Sequence, residues 1–323
     1  MFGRAHRSFL VVLCSLVCVH FVSERVSAQG PGMAPPVGAA SRAPSALPTR
    51  SALPARETRL PGDAWVPPDI DHAKLSVNAA APCPLPDVLD RAGKRIEELV
   101  ANLDRFTATE FVEHQSVNGA GKLAKVQARK FDYVVSIGPS RGGYLSVQEY
   151  RSRVPNAEQF PDQVATEGTP SLVLVFHPAY ARDFDMKCEG LGEWQGQPAW
   201  QVRFEQRRDR VNRLSNVVVK NRLYNVRLRG RAWILADSYQ VARLETDLAD
   251  TIPAIKLRLE HMNVEYRPVT FPERHTELWL PAHAELFLDF ADRRFYRKHS
   301  FTNFTLFSVD VNQKLADGTP VTQ

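Results

Sequence analysis

"SIGPSRGGYLSV", residues 136–147, contains Gly138-Pro139-Ser140-Arg141-Gly142, a literal G-x-S-x-G. Two folds compete for these letters. In a nucleophile elbow the serine stands on a sharp turn between a strand and a helix. In a hairpin the same glycines and proline serve a chain reversal between two strands. Upstream, "KFDYVVSI" places Phe131, Tyr133, Val135 and Ile137 on one face, and downstream "GYLSVQEY" alternates as well. No helical period follows the serine, so the stretch reads as a loop tip between strands. Pairing Ile137 with Tyr144 would set Asp132 opposite Glu149, a like-charge pair that counts against that register.

Period two continues through most of the chain from Phe106 onward. "AWQVRF" sets Trp200, Val202 and Phe204 together, and "AELFLDF" aligns Leu286, Leu288 and Phe290. "TATEFVEHQ", "LVLVFH", "FDMKCEG", "NVVVKN", "YNVRLRGRAWIL", "IKLRLEHMNVEYR" and "RKHSFTNFTLFSV" are further strand candidates. In "GRAWILADSYQVARLETD", a four-residue loop between Ala236 and Val241 sets Trp233 opposite Leu244 and Leu235 opposite Ala242 on one apolar face. Ala232–Glu245 and Ile234–Arg243 are left on a mixed one. A single helical pattern precedes the strands: Leu85, Val88, Leu89, Ala92, Ile96, Leu99, Val100 and Leu103 recur at spacings of three and four, with Asp87 placed to cap. The expected fold class is mainly β (α+β), a large curled antiparallel sheet or unclosed half-barrel with one N-terminal amphipathic helix.

The ends of the chain have a different composition. Arg4 and Arg7, an apolar run from Phe9 to Val22 and Val26-Ser27-Ala28 make residues 1–28 an expected secretory signal, cut after Ala28. The run is shorter than the ~20 residues that span a bilayer, so no transmembrane segment is expected after cleavage. Eleven of the 23 prolines lie between residues 31 and 84, and residues 29–82 read as a Pro/Ala/Ser-rich disordered tether. The β-rich domain is expected over 83–312 and a flexible tail over 313–323. Export implies a periplasmic, cell-envelope or secreted protein. Cys83 and Cys188 are the cysteines left in the mature chain, open to one disulfide or to two buried thiols.

Cleavage lowers the formal charge from +5 to +3, and the densest basic stretch, "RFEQRRDRVNR", carries acids among its arginines. That pattern suits a solvated strand end, not a nucleic-acid surface. His283-Ala284-Glu285 lacks the P-C-x-x-C that would make it a zinc deaminase motif. No phosphate loop or dinucleotide fingerprint occurs, and neither a cofactor nor a metal is expected.

The order of these features resembles the LolA and LolB type of periplasmic lipoprotein carrier. The resemblance is carried by the export signal, the helix "VLDRAGKRIEELVANL", "RFTATEFVEHQ" directly after it, the paired long strands and the hairpin "AWILADSYQVARLE". It covers roughly residues 85–310 and implies an unclosed barrel that shields acyl chains. The favoured function is non-catalytic: an apolar cleft that holds a lipid, a lipoprotein acyl chain or another hydrophobic ligand. The cleft candidates are Phe131, Tyr133, Val135, Trp200, Val202, Phe204, Trp233, Leu235, Leu244, Leu286, Leu288 and Phe290. The alternatives are an envelope protein–protein interaction module with a filled core and, least favoured, a serine acyl hydrolase using Ser140.

Overall fold

A computed structural model describes residues 11–14, 65–71, 76–78, 80–103, 105–140, 143–152, 160–219 and 222–307. Most of the expected leader and tether, the tail at 313–323, and Arg141 and Gly142 of the G-x-S-x-G lie outside the described residues. In chain order the elements begin with β1 (Val11–Cys14), α1 (Leu85–Asn102), β2 (Arg105–Ser116), β3 (Gln127–Pro139) and β4 (Leu145–Ser152). There follow β5 (Val164–Ala165), a 3-10 helix at Leu172–Phe176, α2 (Pro178–Ala181), β6 (Phe184–Trp194) and β7 (Gln197–Gln206). The chain continues through β8 (Asn216–Val219), β9 (Arg222–Asn225), β10 (Leu228–Leu235) and β11 (Val241–Leu248). It ends in three long strands, β12 (Leu257–Phe271), β13 (Thr276–Phe290) and β14 (Arg293–Phe307).

Ten of these strands form one antiparallel sheet in the order β4-β3-β2-β14-β13-β12-β11-β10-β7-β6. The meander of β2 to β4 joins the later strands because β14 returns to pair with β2. β4 and β6 remain at the two edges, so the sheet is not closed into a barrel. Side chains alternate between an inner face, covered by α1 and the 3-10 helix, and an outer face. One inner row crosses seven strands through successive pairs: Phe204, Gly230, Thr246, Met262, Leu286, Arg297 and His114.

On α1, Val88, Ala92, Ile96 and Leu99 are buried and join the inner core, as the three- and four-residue spacing predicts. The helix begins after Pro84 with no side-chain cap, and Asp87 instead accepts from Arg91 Nε at 2.9 Å. "LVLVFH" is not a strand. Five successive apolar residues offer no wet face, and Leu172–Phe176 winds into a fully buried 3-10 turn started by Ser171 and Leu172 N–H groups on Gly168 O.

One hairpin register differs from expectation. In β10–β11, Ala232 pairs with Leu244 and Trp233 with Arg243, and a bulge brings Ile234 to Val241. The turn is the cause: Tyr239 is left-handed at φ 59°, and Leu235 N–H bonds Gln240 O, closing the loop one residue earlier. Trp233 and Leu235 therefore face outward, in a separate cluster with Ala199 and Ala242, with the Arg243 guanidinium 5.3 Å from the Trp233 ring centroid. In β3–β4, Ile137 pairs with Val147, so Glu149 lies opposite Val135 and away from Asp132. Ser140 N–H bonds Tyr144 O at 2.7 Å to close that loop.

Cys83 and Cys188 form a disulfide across 105 residues, tying the start of α1 to β6. Ordered structure also reaches back into the stretch expected to be a tether. Residues 65–71 run over the outer face, where Ile70 is buried, its N–H donates to Asp247 at 3.0 Å and its carbonyl accepts from Arg231 at 2.9 Å.

Gly230 of β10 pairs with Phe204 on β7 and with Thr246 on β11. A Cβ there would meet the Phe204 ring and the Glu245 carbonyl oxygen, and backbone cannot yield as a side-chain tip can. Gly230→Ala is expected to cost ~1–3 kcal/mol by overpacking, read from the urea midpoint. An unchanged midpoint would contradict the close approach.

Candidate functional site: the covered inner face

The inner face has two halves of opposite chemistry. From β7 to β13 it is apolar: Val202, Phe204, Ala232, Leu244, Met262, Val264, Leu286, Leu288 and Phe290 belong to one buried core with α1. On β14, β2 and β4 the same parity also carries charge. Arg297, His299, Glu110, His114 and Arg151 are all buried there. Arg151 grips Glu110 with two hydrogen bonds, of 2.5 Å and 2.9 Å, and His299 Nδ1 lies 2.7 Å from the same carboxylate. Burial alone would push the Glu110 carboxyl up, but the Arg151 charge and the bonds from His299 and Arg151 outweigh it and hold it at about 2.

These charges fasten a strap. The chain from Phe160 to Gly168 crosses beneath the polar half of the face before the 3-10 turn fills the apolar half. Arg297 donates to Val164 O at 2.8 Å, to Pro161 O at 3.1 Å and to the Thr166 hydroxyl. His114 and Ser116 hold the Asp162 carboxylate at 3.1 Å and 2.9 Å. Glu149 accepts from Gly168 N–H at 2.5 Å and from the Tyr133 hydroxyl at 2.6 Å. Burial leads the influences on Glu149 and raises its carboxyl to about 7. Arg297 is pulled down by burial and by the like charge of Arg151, yet a guanidinium stays protonated and keeps its donors.

The cleft candidates divide accordingly. Tyr133, Val135, Val202, Phe204, Leu244, Leu286, Leu288 and Phe290 are buried together on the inner face, with Trp200 packed at its margin. Phe131 is also inward but stacks on Phe160 of the strap, with ring centroids 5.0 Å apart, in a cluster of its own. Trp233 and Leu235 lie on the outer face, for the register reason given above.

A small cavity remains between the strap, the start of β8 and the apolar floor. It is lined by Thr166, Gly168 and Leu172 from above and by Ser215, Asn216, Thr246, Glu260, Met262 and Leu286 around and below. Beside it, β1 occupies a strand position between β5 and β8. Val11 to Cys14 pair antiparallel with Val219 to Asn216, and Val11 and Val12 pair parallel with Val164 and Ala165. Val164 and Val217, on the two flanking strands, are fully buried. Cys14 is opposite Asn216, so the seated strand ends at the cavity.

Ser140 is exposed in a strand-to-strand loop, unlike the strand-to-helix serine of an elbow. Ser140→Ala is expected to leave the unfolding free energy within ~0.5 kcal/mol and any hydrolysis of a model ester unchanged. Loss of ester turnover in that variant would reverse the reading. The basic stretch 203–213 is answered by acids: Arg207 pairs with Asp209 at 3.0 Å, and Arg208 with Asp250 at 3.7 Å. Among the described residues no group of three His, Cys, Asp or Glu side chains is placed to hold a metal ion, and no helix is long and apolar enough to cross a membrane.

No protein-family profile matches the chain, and no curated protein does. Solved structures do resemble it. A DUF1329 family protein from Desulfovibrio piger is 12% identical, with a TM-score of 0.40 over 72% of this chain and 95% of that one. A LolA superfamily protein from Nitrosomonas europaea is 8% identical, with a TM-score of 0.35 over 69% and 94%. A lipoprotein-sorting domain from Vibrio parahaemolyticus is 10% identical, with a TM-score of 0.34 over 68% and 94%.

Proposed function

We propose that this is an exported, non-catalytic binding protein that holds an extended apolar chain, a lipid or lipoprotein acyl group, along the inner face of its half-barrel. The observation that carries the reading is the position of β1. Val11–Cys14 belongs to the apolar run of the expected leader, and it fills a strand position against β8 and β5. Removal of the leader opens a slot flanked by Val164 and Val217, floored by the apolar half of the sheet. Burying an acyl chain there is worth ~25 cal/mol per Å² of apolar surface. Localisation in the periplasm or at the cell envelope follows from the same leader.

A second reading has its own support. β1 is held through backbone pairs with both neighbours, which favours an extended peptide and hence an envelope interaction module that adds a partner's strand. Native mass spectrometry of the protein purified from an envelope fraction separates the two. A co-purifying lipid mass on chains that begin after the leader supports the carrier. A bound polypeptide supports the module, and a bare mature chain that also ignores a fluorescent fatty acid would exclude the carrier.

A further inference from the structure

Among the described residues, one buried acid on the inner face stands without a hydrogen-bond partner. Glu110 has Arg151 and His299, and Glu149 has Tyr133 and the Gly168 N–H. Glu260 has none for its Oε2, although the residue is only 7% exposed. Its place is set by the sheet: it pairs with Leu288 on β13, two residues before Met262, on the apolar half of the inner face. Burial is the sole influence on its carboxyl, which rises to about 7, so no neighbouring cation compensates it. Asn216, at the other side of the same cavity, is 3% exposed, and its Oδ1 is likewise without a donor. Two unanswered acceptors therefore converge on one cavity, at the end of the slot that β1 occupies.

We propose that Glu260 and Asn216 form a polar subsite at the Asn216 end of the slot, receiving the amine headgroup of a ligand whose apolar body takes the place of β1. A protonated primary amine brings three donors and the positive charge that a desolvated carboxylate lacks. An alcohol supplies one donor and no charge, and a carboxylate is repelled. Thr246 and Ser215 add hydroxyls to the lining. This subsite rests on the apolar-carrier reading and adds to it the chemical class of the ligand's head.

The test is displacement of Nile red from the processed protein, above neutrality, by dodecylamine, dodecanol and laurate below their micellar concentrations. Dodecylamine is expected to displace at ~10-fold lower concentration than laurate, with dodecanol between them. Glu260→Gln is expected to collapse that ratio to ~3-fold or less while leaving dodecanol unchanged, and Asn216→Asp to widen it. Equal displacement by all three in the wild type, or an amine preference that survives Glu260→Gln, would overturn the subsite and leave the carrier standing. No displacement by any of them in either protein would overturn the carrier and the subsite together.

Discussion

Replacing Arg151 with methionine should destabilise the fold by ~3–5 kcal/mol near neutral pH, because it strands Glu110 in the interior with its principal partner gone. Arg151 is nearly buried and supplies two of the hydrogen bonds on the Glu110 carboxylate, while its guanidinium lies 4.7 Å from the Tyr133 ring centroid. The pH dependence identifies the mechanism. In the wild type the Glu110 carboxyl is held at about 2, below its ordinary 4.5. It therefore stabilises the fold above about 4.5, and that contribution is lost as pH falls from there toward 2. Without Arg151, burial dominates and the carboxyl rises, so the deficit of the variant is greatest at neutral pH and shrinks in acid. The double variant Arg151→Met, Glu110→Met should recover most of the loss, since an apolar pair need not be desolvated at a cost. Urea unfolding of the wild type and the two variants across that range is the measurement. A constant deficit at every pH, or no recovery in the double variant, would mean that packing and not charge accounts for the loss.

This cluster also marks where the sequence stopped being informative. Strands and α1 were legible because period two and period 3.6 come from the burial of one face, which local sequence records. The charged half of the inner face obeys the same parity. Ala108, Glu110, Val112 and His114 alternate inward on β2, and Phe295, Arg297, His299 and Phe301 on β14. A charge in an apolar stripe reads as an imperfection until its partner is known, and here the partners come from strands ~40–190 residues away, beyond any local window. The Trp233 register was lost to one torsion, a left-handed Tyr239, where a β-turn signal would have been glycine or asparagine. "LVLVFH" is ambiguous from its letters, because an unbroken apolar run suits a buried strand and a buried helical turn equally. The slot that holds β1 has no sequence signature at all: β5 and β8, which form its walls, are about 50 residues apart.

Glu260→Gln should make the protein more stable above neutrality, by about 3 kcal/mol, although it removes a charged group from the middle of the fold. The carboxyl rises from its ordinary 4.5 to about 7 through burial alone. A group whose folded pKa is raised binds its proton more tightly in the folded state. Its contribution is intact below about 4.5 and is lost as pH climbs through about 7, at ~1.4 kcal/mol for each unit of the shift. Glutamine keeps the shape and never ionises, so the variant and the wild type should converge near pH 4.5 and separate by about pH 8. Glu149 is shifted the same way and is present in both proteins, so the wild type retains two such slopes and the variant one. Urea midpoints at the two ends of that range read the difference directly, and a variant less stable than the wild type at both would show that Glu260 has a partner in solution. That loss of stability in the free protein above neutrality is one a cationic ligand beside Glu260 would relieve. If that ligand carries an amine headgroup, dodecylamine should cancel the penalty, raising the wild-type Tm at about pH 8 while leaving Glu260→Gln nearly unmoved.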